Sequence, residues 1–188
     1  MSVVGNPLSS GRVSTKDLQA ATAALDKARA LGTGTPRERD WIEAIGAFYR
    51  DPATQSYDAR FAAYAQAMDA MAQRYPDDDE VWIYDALAIQ AAASPSDKTY
   101  AAQRRAAKIL EAQFAKNPQH PGAAHYLIHA YDYPPLAALG LPAARKYAGI
   151  APAAAHARHM PSHIYSMLGQ WEESIASNLA ALEVQSDY

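Results

Sequence analysis

Two histidines, His125 and His129, recur 34 residues later as His159 and His163, and the same offset carries Pro118 to Pro152 and Tyr131 to Tyr165. A period of that length is one helix–turn–helix unit, which cannot bury its apolar face alone and must stack on a neighbour. The repeat therefore restricts the chain to stacked helical pairs. All six histidines fall between His120 and His163, and Asp132 is the only acidic residue between Glu111 and Glu172. The same stretch that fixes the architecture thus concentrates the imidazole chemistry.

Local signals along the chain agree with an all-helical reading. Ser14 to Asp17 predicts a capped helix running to Leu31, with Gly32 at its end. Thr35-Pro36-Arg37-Glu38 is a capping box with proline at the first helical position. The helix behind it carries Trp41, Ile42, Ile45 and Phe48 at helical spacing. A helix over Tyr57 to Arg74 follows, with Phe61, Tyr64, Met68 and Met71 as its stripe. Asp77, Asp78, Asp79 and Glu80 stand where the next helix begins, a position that favours negative charge. Beyond Ser94-Pro95 a helix from Asp97 to Lys116 is expected, capped by Ser96, then helices near 120–132, 141–149, 152–168 and 171–185. Pro161, inside the third of these, calls for a kink or a late start, because it removes an N–H and frees the Ala157 carbonyl. No segment alternates with period two.

These elements make about nine helices in antiparallel pairs joined by short links, an all-α solenoid. The whole chain, 1–188, reads as a single repeat domain with residues 1–13 irregular. Early pairs start near 36, 78 and 118, about forty apart, and only the last two keep strict register. The helix from Ser14 precedes a clean first helix of a pair, so it reads as a second helix without its partner. Trp171, Ile175, Leu179 and Leu182 would face outward on the last element. Solenoid ends normally carry polar caps, so the expectation is a fragment of a longer repeat protein or end-to-end association.

Composition removes several functions. A net charge of −3 gives no basic face for phosphates, which excludes nucleic acid as a partner. No apolar run reaches the length of a membrane span, and the first residues, MSVVGNPLSSG, carry no signal peptide pattern. The compartment is left open. With no cysteine, disulfides and thiolate metal sites are ruled out, and any metal would be held by imidazole, carboxylate or water. There is no G-x-S-x-G, phosphate-loop or dinucleotide fingerprint.

The candidate site follows from helix geometry. Residues three and four apart share a face, so His125, His129 and Asp132 form one stripe and His156, His159 and His163 another. Packed helices lie about 8–10 Å apart, a gap that imidazoles from both sides can close on one ion. His125, His129, His159 and His163 are the expected core ligands, with His156 and Asp132 completing the set. Asp132 would be a ligand or would hold one ring in a fixed tautomer. His120, Glu80, Tyr126, Tyr131 and Tyr165 are supporting candidates. Imidazole suits zinc and copper first, and also iron and nickel; no catalytic residue is assigned. Two other readings use the same residues: a groove that binds a peptide or partner helix, and a pH-responsive groove of closely spaced imidazoles.

HPGAAHYLIHAYD followed by HARHMPSHIYSMLGQW resembles a family of bacterial tetratricopeptide-repeat (TPR) proteins of largely unassigned function. The resemblance extends from about Arg37 through RERDWIEAIGAFYRD, AMDAMAQRYPDDDEVW and NPQHPG. It implies a TPR-like right-handed superhelix, with His125, His129 and Asp132 at positions 5, 9 and 12 of one unit. His156, His159 and His163 then take positions 2, 5 and 9 of the next. On that pattern these positions line the concave groove, which implies a shared histidine site for a divalent metal, in a metalloenzyme or a metal-handling protein.

Overall fold

A computed structural model describes residues 13–32 and 34–186. The irregular segment expected over 1–13 lies outside the described residues except for Val13. Every regular element among the described residues is helical, ten segments with no strand, and counting one broken helix as a single element gives nine. No described helix is long and apolar enough to cross a membrane. The chain divides into two compact units, Met1–Ser94 and Pro95–Tyr188.

The first unit holds α1 (Thr15–Leu31), α2 (Pro36–Tyr49), α3 (Tyr57–Arg74) and α4 (Asp79–Ala91), each packed on the next. Their ends are set by the expected residues. Ser14 caps α1 through the Asp17 N–H, and Gly32 closes it at φ 59°. Thr35 and Glu38 complete a reciprocal capping box on α2. Asp78 caps α4 through the Val81 N–H and also receives the Arg37 guanidinium. The core is aromatic and sulfur-rich: Phe48, Phe61, Tyr64, Met68 and Met71 are buried, with Met68 wholly so. Arg60 is buried among them, donating to the Phe48 carbonyl at 2.7 Å with its guanidinium 4.2 Å from the Phe48 ring centre.

The second unit holds α5 (Ala101–Lys116), α6 (Pro121–Tyr131), α7 (Ala137–Ile150), α8 (Ala155–His159), α9 (Pro161–Met167) and α10 (Trp171–Ser186). Helix α6 packs between α5 and α7, and α9 packs on α6, α7 and α10. The core here is built from small residues, Ala106, Ala107, Ala123, Ala124, Ala130, Ala143 and Ala144, around Leu110, Ile128, Leu136, Met160 and Ile164. Small side chains let helix axes approach. A Cβ added to Gly140 on α7 would lie 2.7 Å from Ile164 Cδ1 on α9 and 3.1 Å from Tyr131 Cβ on α6.

Two boundaries differ from the sequence reading. Helix α5 starts at Ala101 rather than Asp97, because Asp97 turns back to accept from the Thr99 N–H and hydroxyl. Tyr100 then enters the helix from a left-handed conformation, φ 56°. Helix α7 starts at Ala137 rather than 141 and runs through Pro142. The carbonyl that Pro142 frees belongs to Ala138, an exposed residue where water can replace the missing donor.

Pro161 acts as anticipated: it is the first residue of α9 and separates it from the single turn of α8. Ser177 on α10 takes up a carbonyl at that break, donating to Arg158 at 2.5 Å. Helix α9 ends in a Schellman turn, with Gln170 N–H on the Tyr165 carbonyl, Gly169 N–H on Ser166, and Gly169 at φ 69°. On α10 the stripe Trp171, Ile175, Leu179 and Leu182 is exposed. The face turned inward is Ser174, Ser177, Asn178 and Ala181.

Candidate metal centre

Five of the six histidines form one continuous cluster between α6 and the broken α8–α9 helix. His125 and His129, one turn apart on α6, place their Nε2 atoms 3.1 Å apart. His156 on α8 reaches across to put its own Nε2 3.0 Å from that of His125. The three nitrogens lie within 4.8 Å of one another. His159 and His163 form a second pair, one residue on each side of the break, with Nε2 atoms 3.1 Å apart. The two groups adjoin: ring centres of His129 and His163, and of His156 and His159, are each 6.2 Å apart.

The first group has a stoichiometric problem as a hydrogen-bond network. A neutral imidazole nitrogen carries either one N–H or one lone pair. His125 Nε2 faces two other Nε2 atoms at hydrogen-bond distance, and one proton or one lone pair cannot serve both well. A cation at His125 Nε2 would serve in place of both contacts. Ligand nitrogens on bonds of 2.0–2.1 Å sit roughly 2.8–3.4 Å apart for angles between square and tetrahedral. The observed 3.0 and 3.1 Å fall in that range.

Burial and mutual repulsion keep these rings neutral, which is the form that binds metal. Desolvation, then the neighbouring imidazoles, lowers His125 from 6.5 to about 3. His129 is lowered to about 4, chiefly by burial and secondly by His163. His156, the exposed member, is lowered in the same way. His163 moves upward because it is hydrogen-bonded to Asp132.

Surrounding groups hold the rings in place. His125 is stacked between Tyr126 and Tyr147, ring centres 5.2 and 5.4 Å away, the Tyr147 ring within 9° of parallel. His163 Nδ1 donates to Asp132 Oδ2 at 2.7 Å. His159 Nδ1 lies 2.7 Å from Asn178 Oδ1, and the Asn178 amide nitrogen donates to the Ser174 carbonyl. That second bond fixes which way the amide faces, so its oxygen meets His159 and Nδ1 of that ring carries the proton.

The remaining expected residues have other places. His120 caps α6, its Nδ1 accepting from the Ala123 N–H at 3.2 Å. Tyr131 is buried and donates its hydroxyl to Glu111 at 2.6 Å. Tyr165 is two residues from His163 on α9, a spacing that does not share a face. Glu80 is exposed in the first turn of α4, in the first unit. Sequence reasoning missed Tyr147 and Asn178. Asn178 was signalled only by the 3–4–7 spacing of Ser174, Ser177, Asn178 and Ala181, a small polar stripe that has to face something.

No protein-family model matches the chain, and no curated protein or solved structure does either.

Proposed function

We propose that the second unit is a metal-binding helical-repeat module in which His125, His129 and His156 hold a divalent transition-metal ion through their Nε2 atoms. The carrying observation is His125 Nε2, placed 3.1 and 3.0 Å from two others of its kind. An all-imidazole donor set without thiolate favours zinc, copper or nickel over magnesium or calcium, which seek oxygen. Three protein ligands leave room for an exchangeable water or small ligand, the arrangement of reactive rather than closed structural sites. Such an ion would supply Lewis acidity and acidify a bound water. The chain's own part is to present three neutral nitrogens and to hold the His125 ring between two tyrosines.

The TPR-like reading belongs to the same proposal. It is supported within the second unit by α6 packing on both α7 and α9, first helix against first helix of successive pairs, and by the 34-residue register of the histidines. The resemblance of HPGAAHYLIH and HMPSHIYSMLGQW to bacterial TPR proteins points the same way. A peptide groove lined by these histidines is less well supported, since the rings are turned toward one another.

Elemental analysis and zinc titration of untagged protein test the reading. Stoichiometric zinc is expected, with a lower count in His125→Ala. Protein that binds no zinc, or a His125→Ala variant that binds as much as wild type, would sink it.

A further inference from the structure

The His159–His163 pair is not needed by the ion just described, and its own hydrogen bonds leave it with an unmet demand. Asp132 is a carboxylate and accepts from His163 Nδ1. Asn178, turned by its bond to Ser174, accepts from His159 Nδ1. Both Nδ1 atoms therefore carry protons, and a neutral imidazole has only one to carry. With both rings neutral, both Nε2 atoms present lone pairs, and they present them to each other across 3.1 Å. Two lone pairs at that distance repel unless a positive charge lies between them. On the far side of the His163 ring, the second oxygen of Asp132, Oδ1, is buried without a hydrogen-bond partner. Two converging lone pairs call for a cation between them.

We infer that this is a second metal locus, so that the cluster takes two transition-metal ions side by side: one on His125, His129 and His156, and one on His159 and His163. The inference rests on the metal reading of the first group. Two features favour an ion. The repeat reproduces the pair: His125/His129 and His159/His163 are related by the 34-residue offset and have the same 3.1 Å Nε2 separation. Carboxylate and amide oxygens on the far ring nitrogens are also the partners that orient metal-ligating imidazoles and fix their tautomer. With only two protein nitrogens, the second ion would keep open positions, and the adjoining loci suit a water or small anion shared between ions.

The test is a calorimetric titration of untagged, metal-stripped protein with zinc, with bound zinc counted after gel filtration. Wild type is expected to bind two ions per chain. A His159→Ala/His163→Ala variant is expected to keep one at unchanged affinity. Asn178→Ala keeps every imidazole and removes only the tautomer lock, so it covers the case of a misfolded double variant. It is expected to weaken the second binding event by about 10–100-fold while sparing the first.

One ion in wild type and one in the double variant would overturn the second locus and leave the first standing. One ion lost in both the His125→Ala and the double variant would mean a single ion shared by the whole cluster, which also overturns it. No ion in wild type would remove both readings. A proton signal on His159 or His163 Nε2 that persists in nitrogen-15 NMR under excess zinc would show the pair bridged by a proton, and the second locus would fall.

Discussion

The two units pack consecutive helices in the same manner and fill the space between them with different side chains. In the first, aromatic and methionine side chains fill the core, and charge is matched at the helix ends: Arg37 with Asp78, Arg29 with Glu43, Arg74 and the Tyr75 hydroxyl with Asp40. The buried Arg60 donates Nε–H to the Phe48 carbonyl and lies over the Phe48 ring, while its Nη2 has no hydrogen-bond partner. In the second, alanines bring the helices together and imidazoles are gathered with the one local carboxylate, Asp132. What sets the second unit apart is the convergence of imidazole nitrogens, on which the proposed metal site rests.

Substitutions can break or sharpen that contrast. The largest effect is expected from His125→Ala, the ring that meets two others: zinc affinity at the first locus should fall by more than the roughly 10–100-fold typical of losing an outer partner, with little change in helix content. Calorimetry and circular dichroism together check it. Unchanged affinity would leave the second unit as ordinary as the first. Met68→Ala, in the middle of the aromatic core, should cost about 2–5 kcal/mol in denaturant unfolding while the zinc count below the transition stays the same. A loss of zinc there would join what the comparison separates.

Acid should distinguish the units in metal-free protein. His125 and His129 have folded values of about 3 and about 4 against 6.5. Between those limits the unfolded chain binds more protons, so stability falls as the pH drops below 6.5. His156 acts in the same direction, and His163, raised by Asp132, acts against them: its contribution is present below 6.5 and lost as pH rises through its folded value. In the first unit Asp78, lowered by Arg37, and Asp40, lowered by Tyr75 and Arg74, contribute above 3.8 and lose that contribution only as pH falls further. Hydrogen exchange from pH 7 to 3 should show α6, α8 and α9 loosening first. Loosening of α2 to α4 at higher pH would contradict the assignment. The smallest effect is expected of Thr35→Ala, about 1 kcal/mol from the lost cap, visible in thermal unfolding and silent in zinc binding.

The helices were legible because their signals are local. Capping residues sit next to the N–H groups they satisfy, so Thr35, Ser14 and Asp78 mark their helices wherever the rest of the chain goes. The two misplaced starts have the same kind of cause. Asp97 had a nearer N–H at Thr99, and Pro142 could be absorbed because Ala138 faces water. On α10 the apolar stripe is the exposed one and the small polar stripe is inside. An outward placement of Trp171, Ile175, Leu179 and Leu182 was readable from the repeat pattern, but the Asn178 contact to His159 was not.

The sequence by itself determined that the chain is helical, that its histidines come in a 34-residue register, and that His125 and His129 share one face with Asp132. These follow from the 3.6-residue period and need no partner. Which nitrogens meet was decided by tertiary structure alone. The break at Pro161 places His156 against His125 and leaves His159 facing His163, while close packing at Gly140 sets how near α9 comes to α6. Distances across helices depend on every side chain between them, and no spacing along the chain encodes that sum.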